Sequence, residues 1–332
     1  MLNLAVRRSQ FPFALHGFQT VSAQPAESES FGCGFALMLL GGVQATGTSA
    51  TGRAYNRAFS IPVQMRAPKE RIAVAQAPFS LVKWYMDCVT ESGTTAILYC
   101  AELRWRGIRA SYSSVLLADE HTITTRTSMK RHRLSSDGDR ISVEFPPLSV
   151  MGTWKAVAAP VEHTVFEDAR GSVLWNCVQP GSSAHVTVGD RELNGLGYAE
   201  CLTLTLPPWQ LPLRQLRWGR FVSAQDSLAW IDWQGPYSTR IAVHNSRKCE
   251  ALSISETEVV LDDSRLRIDQ PFSLRSGRLG STILPGAPML RNLFPRSLFN
   301  VDEKKWRSRG TLDIQDHQSR GWVIHEVVNW NG

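Results

Sequence analysis

In Ala199-Glu200-Cys201-Leu202-Thr203-Leu204-Thr205-Leu206 the last six residues alternate strictly. Cys201, Thr203 and Thr205 fall on one side, and Leu202, Leu204 and Leu206 on the other. A period of two is the signature of a β-strand with one face in a core. Working outward, the same texture fills the chain from Phe79 onward. Short runs rich in Val, Ile, Thr, Tyr and Trp are separated by Gly, Asp, Ser and Pro. Strands are expected at Phe79–Thr90, Thr95–Trp105, Arg109–Leu117, Ile141–Phe145, Thr153–Ala159, His163–Phe166, Gly171–Cys177, Ala184–Val188 and Gly197–Leu206. A second set covers Arg217–Ser223, Ser227–Trp233, Thr239–His244, Thr257–Leu261, Arg265–Leu274, Gly310–Ile314 and Gly321–Trp330. So many short strands argue for sandwiches or barrels.

Pro207-Pro208-Trp209-Gln210-Leu211-Pro212 separates the two sets. Proline has no N–H to give a ladder, so this segment reads as a rigid connection. The chain has 332 residues, and a single core rarely grows beyond about 250–300 residues. The expected organisation is therefore a β-domain over 77–206 and another over 207–332. Residues 1–76 lack a sustained period and carry Gly, Ser, Thr and Ala runs. They read as a disordered or loosely packed leader, and a true start at Met38 or Met65 is one explanation.

Composition narrows the function classes. The net charge is +6, but the basic residues are scattered. The densest cluster, Lys130-Arg131-His132-Arg133, is followed by Asp137 and Asp139 and reads as a solvated hairpin end. No nucleic-acid partner is expected. No apolar run reaches the ~18 residues of a membrane-crossing helix, although peripheral membrane contact stays open. The six cysteines form no CxxC pair and have no His at metal-ligand spacing. They read as reduced core residues of a cytoplasmic protein, with no metal and no cofactor. Neither a P-loop, nor a G-x-S-x-G elbow, nor HExxH occurs.

Several motifs gain meaning from their order. They are Lys83-Trp84-Tyr85-Met86-Asp87, Gly195-Leu196-Gly197-Tyr198-Ala199-Glu200, Leu216-Arg217-Trp218-Gly219-Arg220-Phe221, Ala229-Trp230-Ile231-Asp232-Trp233, Lys305-Trp306-Arg307-Ser308-Arg309-Gly310 and Gly321-Trp322-Val323-Ile324-His325-Glu326. The series W-Y-x-D, G-Y-x-[DE], W-G-R resembles the AttH domain family over about residues 79–332. That family is lipocalin-like and related to carotenoid 1,2-hydratase (hydroxyneurosporene synthase). The resemblance implies two tandem lipocalin-like antiparallel β-barrels, a mainly β fold, with a pocket for a hydrophobic small molecule.

Tyr198 and Glu200, two apart on a strand, project to one face. The resemblance makes Glu200 the proton donor to an isoprenoid or polyene-like ligand, with Tyr198 beside it. A carboxyl among aromatic rings has its pKa raised and can stay protonated near neutral pH. Trp218 could then stabilise a carbocation. The chain departs from the hydratases in continuing Glu200-Cys201-Leu202 where they have a His-Asn-type continuation. A salt bridge from Glu200 to Arg217 or Arg220 is the competing reading. Trp84, Trp218, Arg220, Trp230, Asp232, Trp306 and His325 are the expected ligand-binding residues. Asp232, between two tryptophans, needs a partner if buried, and Arg220 or Arg240 could supply one. His325 and Glu326 are adjacent and must point to opposite faces. The expected activity is acid-assisted hydration, isomerisation or cyclisation without a cofactor. A non-catalytic carrier of lipophilic ligands, or a carbohydrate-binding β-protein, are the alternatives.

Overall fold

The computed structural model describes residues 77–278, 300–315 and 317–330. The leader over 1–76 lies outside the described residues. Chain order gives β1 (Phe79–Val89), β2 (Thr95–Trp105), β3 (Ile108–Ala118), β4 (Ile123–Ser128), β5 (Arg133–Asp137), β6 (Arg140–Phe145), β7 (Val150–Ala156), β8 (Val161–Asp168), β9 (Gly171–Val188) and β10 (Arg191–Leu204). These ten strands form one antiparallel sheet, ordered β4-β3-β2-β1-β10-β9-β7-β6-β5, with β8 also on β9.

A 3-10 turn at Pro208–Gln210 follows, where the prolines predicted a rigid connection. Then come β11 (Gln215–Val222), β12 (Ser227–Gln234), β13 (Thr239–His244), β14 (Arg247–Cys249), β15 (Ala251–Ile254), β16 (Glu258–Leu261), β17 (Ser264–Arg278), β18 (Val301–Ile314) and β19 (His317–Trp330). They form a second sheet, ordered β14-β13-β12-β11-β19-β18-β17-β16-β15. The second sheet is a nearly closed barrel and the first a large curled sheet. Arg240 helps to bring the edges of the second together, donating from Nη1 to the carbonyls of Ala251 at 3.1 Å and Leu252 at 2.9 Å.

With β8 set aside, the two strand orders are the same, position for position. In each sheet the first strand pairs with the last. The repetition reaches individual residues. Gly195 lies five residues before Glu200, and Gly321 five before Glu326. A Cβ on Gly195 would run into the carbonyl oxygen of Val89, and one on Gly321 into that of Val222. Both are places where backbones approach too closely for a side chain.

Strand alternation sorts the core into three parts. Trp84, Met86 and Cys88 on β1 pack with Trp154 and Ala199 inside the first sheet. Phe221, Trp230 and Val323 pack inside the second. The opposite faces of β1, β2, β10, β11 and β19 meet in a shared core that includes Leu81, Tyr85, Tyr99, Tyr198, Trp218, Trp322 and Ile324. The two sheets are thus joined by apolar burial along their first and last strands. The described cysteines are free thiols. No helix among the described residues is long and apolar enough to cross a membrane.

Candidate functional site

The polar side chains of greatest interest lie within this shared core. Pairing sets Tyr85 opposite Glu200 and Asp87 opposite Tyr198. Across the seam it sets Trp218 opposite Glu326 and Arg220 opposite Ile324. Glu200 and Glu326 therefore occupy matching slots in the two sheets, as do Asp87 and Arg220.

The two matching glutamates have opposite surroundings. Oε2 of Glu200 accepts from the Trp175 indole at 2.6 Å, the Tyr198 hydroxyl at 2.8 Å and the Trp218 indole at 3.0 Å. Burial pushes its carboxyl above the ordinary glutamate range. The three donors and the field of Lys83 pull the other way without cancelling it. Glu326 instead pairs with the Lys305 ammonium, itself almost fully enclosed. Lys305 also donates to the Tyr99 hydroxyl at 2.7 Å. Its Nζ lies 5.3–5.7 Å from the ring centres of Tyr99, Tyr85 and Trp218, which favours the cation. Burial alone would lower the Lys305 pKa, but Glu326, Tyr99 and Glu303 together outweigh it and hold the ammonium charged.

Asp87 and Arg220 close the seam on one side of Glu200. Arg220 donates to Asp87 from Nε at 2.9 Å and Nη2 at 2.8 Å, and from Nη1 to the Trp322 carbonyl at 2.8 Å. The Tyr85 hydroxyl adds a bond to Asp87 at 2.9 Å. Both groups are buried. Burial raises the Asp87 carboxyl despite Arg220, whereas Arg220 ends above its usual value because Asp87 outweighs burial. The short two-pronged geometry decides for an ion pair.

Why Tyr198 and Glu200 sit here follows from β9. Pro180 cannot donate to a ladder, and β9 hands over from β8 to β7 around it. The β9–β10 register slips at Gly197/Ala199 and again at Ala199/Cys201. Such irregularities bend a strand and re-aim side chains. Tyr198 is fully buried, and burial holds its phenol well above the usual range, so it stays a donor. Glu200, Lys83, Leu202, Leu216 and Glu326 keep partial exposure. The seam thus reaches solvent beside the carboxyl.

Of the residues singled out from sequence, the structure brings together Glu200, Tyr198, Trp218 and Arg220. The Glu200–Arg217 and Glu200–Arg220 salt bridges weighed above are not formed: Arg220 takes Asp87, and Arg217 lies 3.6 Å from Asp232. The remaining residues point elsewhere. Trp84 and Trp230 pack inside the first and second sheets. Asp232 also lies 3.5 Å from Arg240 and accepts from Gln234 at 2.6 Å. Trp306 stacks on His325, with ring centres 5.1 Å apart, and His325 meets Ser308 Oγ at 3.0 Å. Trp175 and Tyr99 were not singled out as site residues. Trp175 lies 25 residues from Glu200 and Lys305 lies 206 from Tyr99, so no local pattern links them.

Burial pushes His325 down to about 4. A histidine depressed on folding contributes stability that is present above its unfolded pKa of about 6.5 and is lost as pH falls towards 4. Denaturant titrations should show up to about 3 kcal/mol of such loss from this residue between those limits. The His325→Gln variant should show a shallower decline; an unchanged pH slope would remove His325 as its source.

No family model and no curated protein matches the sequence. The fold does have likenesses among solved structures. An AttH structure from Nitrosomonas europaea superposes with a TM-score of 0.51 at 9% identity, covering 82% of this chain and 98% of that one. The chain folds like AttH. Kievitone hydratase from Nectria haematococca gives 0.47 at 11% identity, over 76% of this chain and 90% of that one. CghA gives 0.46 at 10%, over 76% and 89%. At these identities the AttH superposition establishes architecture alone, which matches the tandem β-barrels expected from the ordered motifs.

Proposed function

We propose that the chain binds a hydrophobic small molecule, isoprenoid or polyene-like, at the seam between its two barrels, and that Glu200 protonates it. On this reading, 77–206 and 207–332 are the two lipocalin-like units whose junction holds the site. The observation that carries the proposal is the lopsided hydrogen bonding of Glu200. Three donors converge on Oε2, so the acid form carries its proton on Oε1. Burial favours that acid form. Tyr198 and Trp218 fix the carboxyl, and aromatic rings lie close enough to stabilise a cation.

The chemistry balances without a cofactor. The Oε1 proton adds to one alkene carbon, using the π pair, and leaves a cation on the other. Water can capture that cation and return a proton to Glu200, which is hydration. Loss of a neighbouring proton to Glu200 is isomerisation. Attack by a second alkene of the same molecule, followed by proton loss, is cyclisation. Arg220 and Asp87 then act as a rigid floor.

The test begins with protein purified from its own source, with organic extraction and mass spectrometry of whatever is bound. The extracted compound is then offered to wild-type and Glu200→Gln protein. Gln keeps the shape and removes the acid. Loss of general acid catalysis is worth about 10²–10⁴-fold, and a drop in turnover of that order is expected. Turnover that survives the substitution removes the acid role. A bound compound that neither protein converts would establish a carrier.

A further inference from the structure

Lys305, Arg307 and Arg309 follow one another at every second position of β18 and so share the face turned to the first sheet. Lys305 has its carboxylates. The other two differ. Arg307 is 7% exposed, and among the described residues it donates from Nη1 to the Gly93 carbonyl. Among the described residues its buried Nε has no hydrogen-bond partner. Arg309, two residues on, is exposed and sits over Trp322, its guanidinium carbon 3.6 Å from the ring centre. Arg307 approaches the same ring at 5.4 Å and the Phe272 ring at 4.5 Å. Two like charges thus flank one indole. Burial and the charge of Arg309 both act against the charge on Arg307, and Asp119 and Glu120 only partly oppose them from a distance. Among the described residues, neither arginine forms an ion pair, whereas Asp119 is itself paired with Arg191.

A buried guanidinium with an unused donor and a second guanidinium beside it is costly unless an anion completes it. Guanidinium forks match carboxylate and phosphate oxygens. We propose that Arg307 and Arg309, around Trp322, form a binding site for an anionic group, a carboxylate or a phosphate. Trp322 and Phe272 supply an apolar wall beside it, suited to an amphiphile. The site shares no residue with Glu200 or with the three donors that hold its carboxyl, so the proposal stands independently of the acid role.

Four probes separate the sources of the anion: inorganic phosphate, decyl phosphate, decanoate and uncharged decanol, each titrated calorimetrically into the full-length protein. Decyl phosphate and decanoate are expected to bind about tenfold or more tightly than decanol. Inorganic phosphate binding as well as decyl phosphate would assign the site to free anions; much weaker binding would assign it to amphiphiles. Arg309→Gln, an exposed position that should leave folding intact, is expected to weaken the anions about tenfold and leave decanol unchanged. Arg307→Lys, which keeps charge but loses the fork, should weaken them too. Anions that bind no better than decanol, that do not bind at all, or that are indifferent to Arg309→Gln would overturn the proposal.

Discussion

Arg220→Met protein is expected to be less stable by about 3–5 kcal/mol, the usual cost of leaving one partner of a buried ion pair alone. The substitution strands the Asp87 carboxylate where no solvent reaches it and leaves it only the Tyr85 hydroxyl of its present side-chain donors. It also strips the Trp322 carbonyl of its donor. Urea denaturation measures the loss directly. Because Asp87 belongs to the first sheet and Arg220 to the second, the pair also ties the two together. The Asp87→Leu/Arg220→Met double variant should recover part of the loss, since it removes the unpaired charge. A single-variant cost within about 1 kcal/mol, typical of exposed pairs, would mean the seam is wet.

Lys305→Met should be damaging for the mirror-image reason. Met fills much of the space among Tyr85, Tyr99 and Trp218, but it takes the ammonium away from Glu326 and from Glu303. The expected cost is again about 3–5 kcal/mol. Pairing the change with Glu326→Gln should restore part of it. If Lys305→Met alone were neutral, the ammonium would not be balancing buried carboxylates.

The strands were legible wherever one face is apolar. β2 and β13 are as the alternation placed them. β4 and β5, with sequences ITTRTS and RLSSD, were missed because neither contains a fully buried residue, so neither carries an apolar face. β9 was read as two strands because Pro180-Gly181 looks like punctuation. In the fold that dipeptide lies where β9 changes partners, so the missing N–H costs little. The duplicated strand order was hidden as well: the first strand must meet the last across more than a hundred residues, as Gln215 and Asn329 show, and side chains diverge freely while the hydrogen-bond pattern repeats.

The site was half legible. Tyr198 and Glu200 share a face by parity, and that survives folding. Parity also separates Tyr85 and Asp87 from Trp84, and Glu326 from His325. Applied strictly, it sends Trp84, Trp230 and His325 to the barrel interiors, where the structure has them. The partner of Asp87 was not legible. Arg220 is 133 residues away, and only the packing of two sheets brings them together.

Burial at the barrel junction shifts the Glu200 carboxyl towards its acid form. Carbon-13 NMR titration of glutamate-labelled protein reads it directly, with Glu200→Gln identifying the resonance. The expected midpoint lies above the ordinary value of 4.5, and higher still in Trp175→Phe, which removes a donor that favours the carboxylate. A midpoint at or below 4.5 would contradict it, because the three donors and Lys83 would then have outweighed burial and Glu200 would be an anion anchor rather than an acid.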